Sequence, residues 1–404
     1  MERILLVILF GACVLLPVSP AIANIFLLVF GGGIVIKSCV EKKFPTKREW
    51  ASLLILPSFF FLWALSAAFF SMSKESFRMV EKFIPFMVLS LAYIFAAKSI
   101  KTKAPSYISN GIVFGVMGSI LYLLVLMVIR FVNADEESIL NVFSHRYTYG
   151  NFTDPIGTHP TYYTIWLLAA NFFVFNSKKL NIFWKITFLG ILSLALIFTM
   201  SRVGLGLYGL QILALFFYLP KKGKILYTMG MTLVLVVGIY LYNNQLRHFY
   251  LLQRFSLELS WDINAENTGS EINNRVADDS RIARWTAIWE TIKEKPILGY
   301  GAGSEDSVLE TTYRKNNLDV SLERMYNTHN QYLFYLLEHG FFGLILFCGF
   351  FIVNGITALK RKDLFMLSFI IGILIVFMFE NYMYRSMGYL TMALFLTFMR
   401  NSQK

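Results

Sequence analysis

Residues 328–358 read THNQYLFYLLEHGFFGLILFCGFFIVNGITA, residues 364–378 read LFMLSFIIGILIVFM, and residues 381–398 read NYMYRSMGYLTMALFLTF. Short polar joints separate the three runs: Lys360-Arg361-Lys362 at one, Glu380 at the other. A helix needs roughly 20 apolar residues to cross the hydrocarbon of a bilayer. Only helices and closed barrels satisfy every backbone group there. Barrel strands alternate apolar with polar residues; these runs are continuous and predict helices. Working outward, similar segments stand at 4–18, 22–36, 50–71, 83–97, 107–129, 158–176, 182–200, 203–219 and 225–243. The expectation is an all-α, polytopic membrane helical bundle of about 12 transmembrane helices with a large outer loop containing helices. Residues 1–243 hold helices one to nine, 244–327 the loop, and 328–404 helices ten to twelve. Segment ten invites a break near Gly340 or Gly343.

Composition agrees. Of 404 residues 56% are hydrophobic and 15% charged, against ~25% charged in soluble domains. A net charge of +12 in a soluble chain would raise nucleic-acid binding. Here the positive charges sit in short joints, the pattern of topology signals. Lys42, Lys43 and Arg48, then Lys98 and Lys101, Lys178 and Lys179, Lys221 and Lys222, and Lys360 and Arg361 fall in alternating joints. Both termini share that side, which the positive-inside rule makes the cytoplasm. Cys13, Cys39 and Cys348 lie in or beside apolar runs, without metal or disulfide spacing. The N-terminus resembles a signal peptide, but a second apolar run follows at once, so a retained first helix is expected.

Several polar residues fall on the opposite side. Arg202, in Ser201-Arg202-Val203-Gly204, sits in a tight joint between segments seven and eight. It is either an anion-binding fork or an interfacial anchor. In the loop, residues 279–293 read as a helix capped by Asp279 or Ser280 and stopped by Pro296. Ile282, Trp285, Ile288, Trp289 and Ile292 form its apolar stripe. Arg281 and Arg284 share a face there; they suit a diphosphate, or pair with Asp278 and Asp279. The turn Gly299-Tyr300-Gly301-Ala302-Gly303 lacks the context of a phosphate-binding loop and reads as a flexible connection. His329 stands at the outer mouth of segment ten, where an imidazole takes a proton from a hydroxyl or merely caps the helix. Glu338 lies ~13 Å further along that helix and needs a partner or a polar cavity. His159, before Pro160, opens segment six. Glu380 and Arg385 flank the last hairpin, as cavity residues or as an ion pair. Glu305-Asp306 lacks acidic companions, and no histidines show ligand spacing, so a metal-free site fits better than a metal-assisted one.

Ser201-Arg202 with Gly204, Arg284-Trp285 followed by Pro296-Ile297-Leu298-Gly299-Tyr300-Gly301, and Asn327-Thr328-His329-Asn330 followed by Gly340 and Gly343 occur in that order. Together with the topology they resemble the O-antigen ligase and polymerase superfamily. That resemblance implies a metal-independent, inverting glycosyltransferase of the bacterial inner membrane that needs no cofactor, with its active site facing the periplasm. The donor would be a glycan on undecaprenyl diphosphate. The acceptor would be a hydroxyl of lipid A-core in a ligase, or of another lipid-linked glycan in a polymerase. Arg202 and Arg284 would bind the diphosphate, and His329 would be catalytic. His159 matches a weaker family feature, while Arg281 has no counterpart. A protein acceptor is a further alternative. Outside the enzymes stands a transporter of lipid-linked glycans, although no inverted repeat is visible.

Overall fold

The computed structural model describes residues 1–134, 139–218, 262, 271–272, 275–276 and 279–400. Segment nine and the front of the long loop lie outside them. The chain forms two compact units, Met1–Gly115 with Asp262–Lys404, and Val116–Trp261.

The first unit opens with α1 (Glu2–Leu15), α2 (Pro20–Val40), α3 (Lys47–Ala51), α4 (Ser58–Ser71), α5 (Lys74–Lys82), α6 (Ile84–Phe95) and the start of α7 (Lys98–Asn133). In lipid no hydrophobic force draws helices together, so close backbone approach at small residues carries the packing. Gly111 does this on α7: a Cβ there would stand 2.6 Å from the Cys13 Cβ of α1. A cap at Thr46, whose side chain accepts from the Glu49 amide, starts α3. A short 3-10 turn over Ser52–Ile55 then bends the path by 73° into α4, so segment 50–71 is a broken element.

The second unit holds α8 (Gly150–Thr153), α9 (Pro160–Asn176), α10 (Ile182–Thr199) and α11 (Arg202–Tyr218) beside the rest of α7. The joint between α10 and α11 is as tight as its sequence requires. Met200 takes a left-handed conformation and the Ser201 hydroxyl accepts from the Gly204 amide.

Back in the first unit, two two-residue strands, β1 (Glu271–Ile272) and β2 (Arg275–Val276), pair antiparallel. The loop helices are α12 (Arg281–Glu294), α13 (Glu305–Lys315) and α14 (Asp319–Glu323). They bury Ile288, Ile292, Leu309, Tyr313 and Leu318 against Leu336 and Leu337 of α15 (Gln331–Arg361). Helices α16 (Leu364–Phe377) and α17 (Ser386–Phe398) complete the chain.

Helix α15 is interrupted at Gly340, with φ 62° and ψ −165°, a region open to glycine because it lacks a Cβ. An unbroken helix would pair the Leu337 carbonyl with the Phe341 amide and the Glu338 carbonyl with the Phe342 amide. The glycine turn takes over all four groups. Tyr300 N–H donates to Leu337 O at 2.8 Å and Gly301 N–H to Glu338 O at 2.9 Å. Phe341 N–H donates to Pro296 O at 2.8 Å and Phe342 N–H to Ile297 O at 3.3 Å. The turn expected to be a flexible connection is therefore wedged into a broken helix. Gly299 permits the approach, since a Cβ there would lie 2.6 Å from the Glu338 carbonyl carbon.

Among the described residues four helices are long and apolar enough to cross a membrane: α2, α7, α10 and α15. The bent pair of α3 and α4 raises the number to five. The other described apolar segments form shorter helices, such as α16 with 14 residues and α17 with 13, so twelve full-length spans are not seen. This is a multi-pass membrane protein, all-α among the described residues apart from one small strand pair. From Gly340 to Arg361, α15 runs ~33 Å, enough by itself to cross ~30 Å of hydrocarbon. Its first turns, with Glu338, are then not required to lie in lipid.

Candidate functional site

Helix α12 begins at Ser280, whose hydroxyl accepts from the Ala283 amide. Its buried face is Ala283, Arg284, Ala287, Ile288 and Ile292, while Trp289 is exposed. Arg284 thus occupies a core position and is 6% exposed. Its guanidinium lies over the Tyr326 ring at 4.9 Å, and its Nε has no hydrogen-bond partner. Arg284 forms no ion pair among the described residues. Burial pushes this guanidinium below the usual arginine range, yet arginine stays charged in proteins. A buried cation without a carboxylate is costly and becomes favourable when an anion occupies the site.

Next to Arg284, the indole of Trp285 donates to the Thr328 carbonyl at 2.9 Å. This ties α12 to the histidine motif. His329 has φ 44°, a left-handed conformation uncommon outside glycine. Its amide donates to Asn327 Oδ1 at 3.0 Å, and its ring stands edge-on to Tyr326, 5.7 Å away. Its Nδ1 faces Glu380 Oε2 at 3.6 Å, an electrostatic contact longer than a hydrogen bond. A carboxylate on that side favours the proton on Nδ1 and leaves Nε2 as the basic nitrogen. Glu380 thus faces His329, and Arg385, exposed at the start of α17, forms no ion pair among the described residues.

Arg281 is tied elsewhere: its Nη1 donates to Phe379 O at 3.0 Å and its Nε stands 3.8 Å from Asp262 Oδ2. Asp279 accepts from the Ser321 amide at 2.7 Å and from its hydroxyl at 2.6 Å, holding α14 in place.

Glu305, passed over in the sequence, lies at the centre of this site. It is 3% exposed in the first turn of α13. Its Oε1 accepts from Thr328 N–H, the Thr328 hydroxyl and Asn381 Nδ2, each at 3.0 Å. Its Oε2 has no hydrogen-bond partner. Burial pushes the carboxyl up to about 7 against the opposing Thr328 bonds. Its amide donates to Glu338 Oε1 at 3.2 Å, which gives Glu338 the partner its position demands. Glu305 had no signal in sequence because its partners lie 23, 33 and 76 residues away.

Arg202 and His159 belong to the second unit, which brings them to one end. Arg202 is the first residue of α11, and His159 precedes α9 with Pro160 in its first turn. The Ser201 hydroxyl donates to Thr161 Oγ1 at 3.3 Å. A Cβ on Gly204 would collide with Thr164, so the two helices meet closely at this end. His159 is exposed between the rings of Tyr149 and Tyr162. Among the described residues no three His, Cys, Asp or Glu side chains gather as metal ligands.

Residues 187–348 match the family model described as O-antigen ligase. Over that stretch the chain is similar to the O-antigen ligase family. The matched stretch contains Arg202, Arg284, Glu305 and His329, while His159, Glu380 and Arg385 lie outside it. No curated protein matches the chain.

Proposed function

We propose that the protein moves a glycan from undecaprenyl diphosphate to a hydroxyl of lipid A-core at the periplasmic face of the bacterial inner membrane. The observation that carries this reading is the buried Arg284, which forms no ion pair among the described residues, together with His329 facing Glu380; Arg284 and His329 both lie within the family match. In this reading both termini are cytoplasmic, about twelve segments cross the membrane, and 244–327 form the periplasmic loop. The lysine and arginine distribution supports that orientation.

The acceptor oxygen attacks the anomeric carbon of the donor sugar, and the bond from that carbon to the phosphate oxygen breaks. Configuration inverts, and undecaprenyl diphosphate leaves with the electron pair. His329 Nε2 takes the hydroxyl proton, and Glu380 steadies the imidazolium that results. Arg284 neutralises the charge developing on the diphosphate, in a site where little water screens it. Arg202 supplies a second cation by its motif. His159, Arg281 and Arg385 have no step of their own in this scheme.

The test is reconstitution of purified protein with undecaprenyl-diphosphate glycan, with and without lipid A-core, followed by gel analysis. Product formed only with lipid A-core supports the ligase. A ladder of longer lipid-linked glycans without it means a polymerase. Neither product, from folded protein and authentic donor, rejects both and turns attention to a protein acceptor or to transport.

A further inference from the structure

We infer that Glu305 is the positioning residue for His329, its Oε1 fixing both the Thr328–Asn330 backbone and the hairpin that carries Glu380. The inference rests on the transfer reading for its kinetic arm alone.

His329 sits in a left-handed conformation, and such a residue persists where its neighbours over-determine it. Its own amide is turned onto Asn327. On the preceding side, Thr328 is held through both its amide and its hydroxyl by Glu305 Oε1. On the following side, the Asn330 amide donates to Asn381 Oδ1 at 3.0 Å. That Asn381 amide group is itself oriented by donation from Nδ2 to the same Glu305 oxygen. The Thr328 hydroxyl also lies 2.9 Å from Asn381 Oδ1. Glu380, the residue before Asn381, faces the imidazole. One buried oxygen therefore sets the register of the histidine and of its carboxylate partner. Glu305 is anchored in turn through its amide to Glu338, beneath the wedged turn. Its hydrogen bonds go to Thr328, Asn381 and Glu338 rather than to the imidazole, so its effect on His329 runs through geometry.

A glutamine preserves the Oε1 acceptor, whereas a leucine strands three buried donors. Glu305→Leu is expected to lower kcat about 30-fold, equivalent to ~2 kcal/mol of barrier, with the donor KM within about twofold because Arg284 is untouched. Glu305→Gln should restore kcat to within about threefold of the parent. Thr328→Val removes only the hydroxyl and should fall between, at roughly tenfold; it decides the matter if Glu305→Leu does not fold. Independently of activity, diethyl pyrocarbonate modification of His329, read by mass spectrometry, should change rate in Glu305→Leu and Thr328→Val but not in Glu305→Gln. Absence of transfer in the parent protein would reject the transfer reading and leave this chemical test intact. Parental kcat and His329 reactivity in Thr328→Val and Glu305→Leu would overturn the inference. So would a Glu305→Gln protein as impaired as Glu305→Leu, because charge rather than position would then matter.

Discussion

Replacing Gly340 by alanine tests the junction on which the site is built. The native φ of 62° with ψ −165° lies in a region that costs a residue with a Cβ about 1–3 kcal/mol. The added methyl would also collide with the Ile297 carbonyl group and stand 2.6 Å from the Leu298 nitrogen. Backbone on a wedged turn cannot yield as a side chain would, so the turn must back out. Four backbone bonds join it to the broken helix, and losing two at ~1 kcal/mol each brings the total to about 3–5 kcal/mol. Gly349 on the same helix is the control: a Cβ there meets nothing within 4 Å, and alanine is the better helix former. The assay is unfolding of purified protein in detergent, with hydrogen exchange at residues 299–301. Gly340→Ala should be much the less stable of the two and should lose protection at Tyr300 and Gly301. Equal stability with unchanged protection would refute the wedge.

Three other outcomes follow from the same geometry. Arg284→Met removes a buried charge that forms no ion pair among the described residues, so thermal stability without donor should hold or rise by up to ~2 kcal/mol, and a clear fall in melting temperature would contradict that account. Glu305 is held near pH 7 in the folded protein against about 4.3 in an unfolded chain. Its contribution is full below the lower value and lost as pH rises through about 7, so Glu305→Gln should gain roughly 3 kcal/mol on the parent between pH 4 and pH 8; parallel stability curves would exclude this. Ile297 and Leu298, each 70% exposed, are level with Gly340 at the end of a helix length that just crosses the hydrocarbon. A spin label at Ile297→Cys, in a chain lacking the native cysteines, should meet oxygen more readily than a water-soluble nickel chelate, with the reverse at Glu310→Cys; equal accessibility to nickel at both would refute a membrane-seated turn.

The apolar runs made the helices legible, because continuous hydrophobicity survives any detail of packing. Arg284 and His329 were picked out by local spacing and motif order, and the structure places both against the Tyr326 ring. Other features were not. The stripe through Trp285 and Trp289 pointed to a face rotated from the observed one, since Arg284 itself is buried and Trp289 exposed. An arginine in a polar loop reads as a surface residue, yet Arg284 is 6% exposed. The turn at Gly299–Gly303 read as flexible because glycine permits mobility and tight docking alike; which one holds depends on the break at Gly340, some forty residues on. Glu380 was set against Arg385 by proximity in sequence, but the hairpin turns it toward His329 instead. Among the described residues only four or five spans have full length, because an apolar run of 13 or 14 residues is as hydrophobic as a longer one and its sequence does not reveal where the helix ends.

Single-turnover transfer from labelled undecaprenyl-diphosphate glycan, in membranes matched for protein abundance, tests the central claim most directly. The parent protein should release undecaprenyl diphosphate as glycan reaches the acceptor, while Arg284→Met and His329→Ala should each lose more than about a hundredfold in rate. Transfer at the parental rate in either variant would contradict the assignment of the reaction to this site.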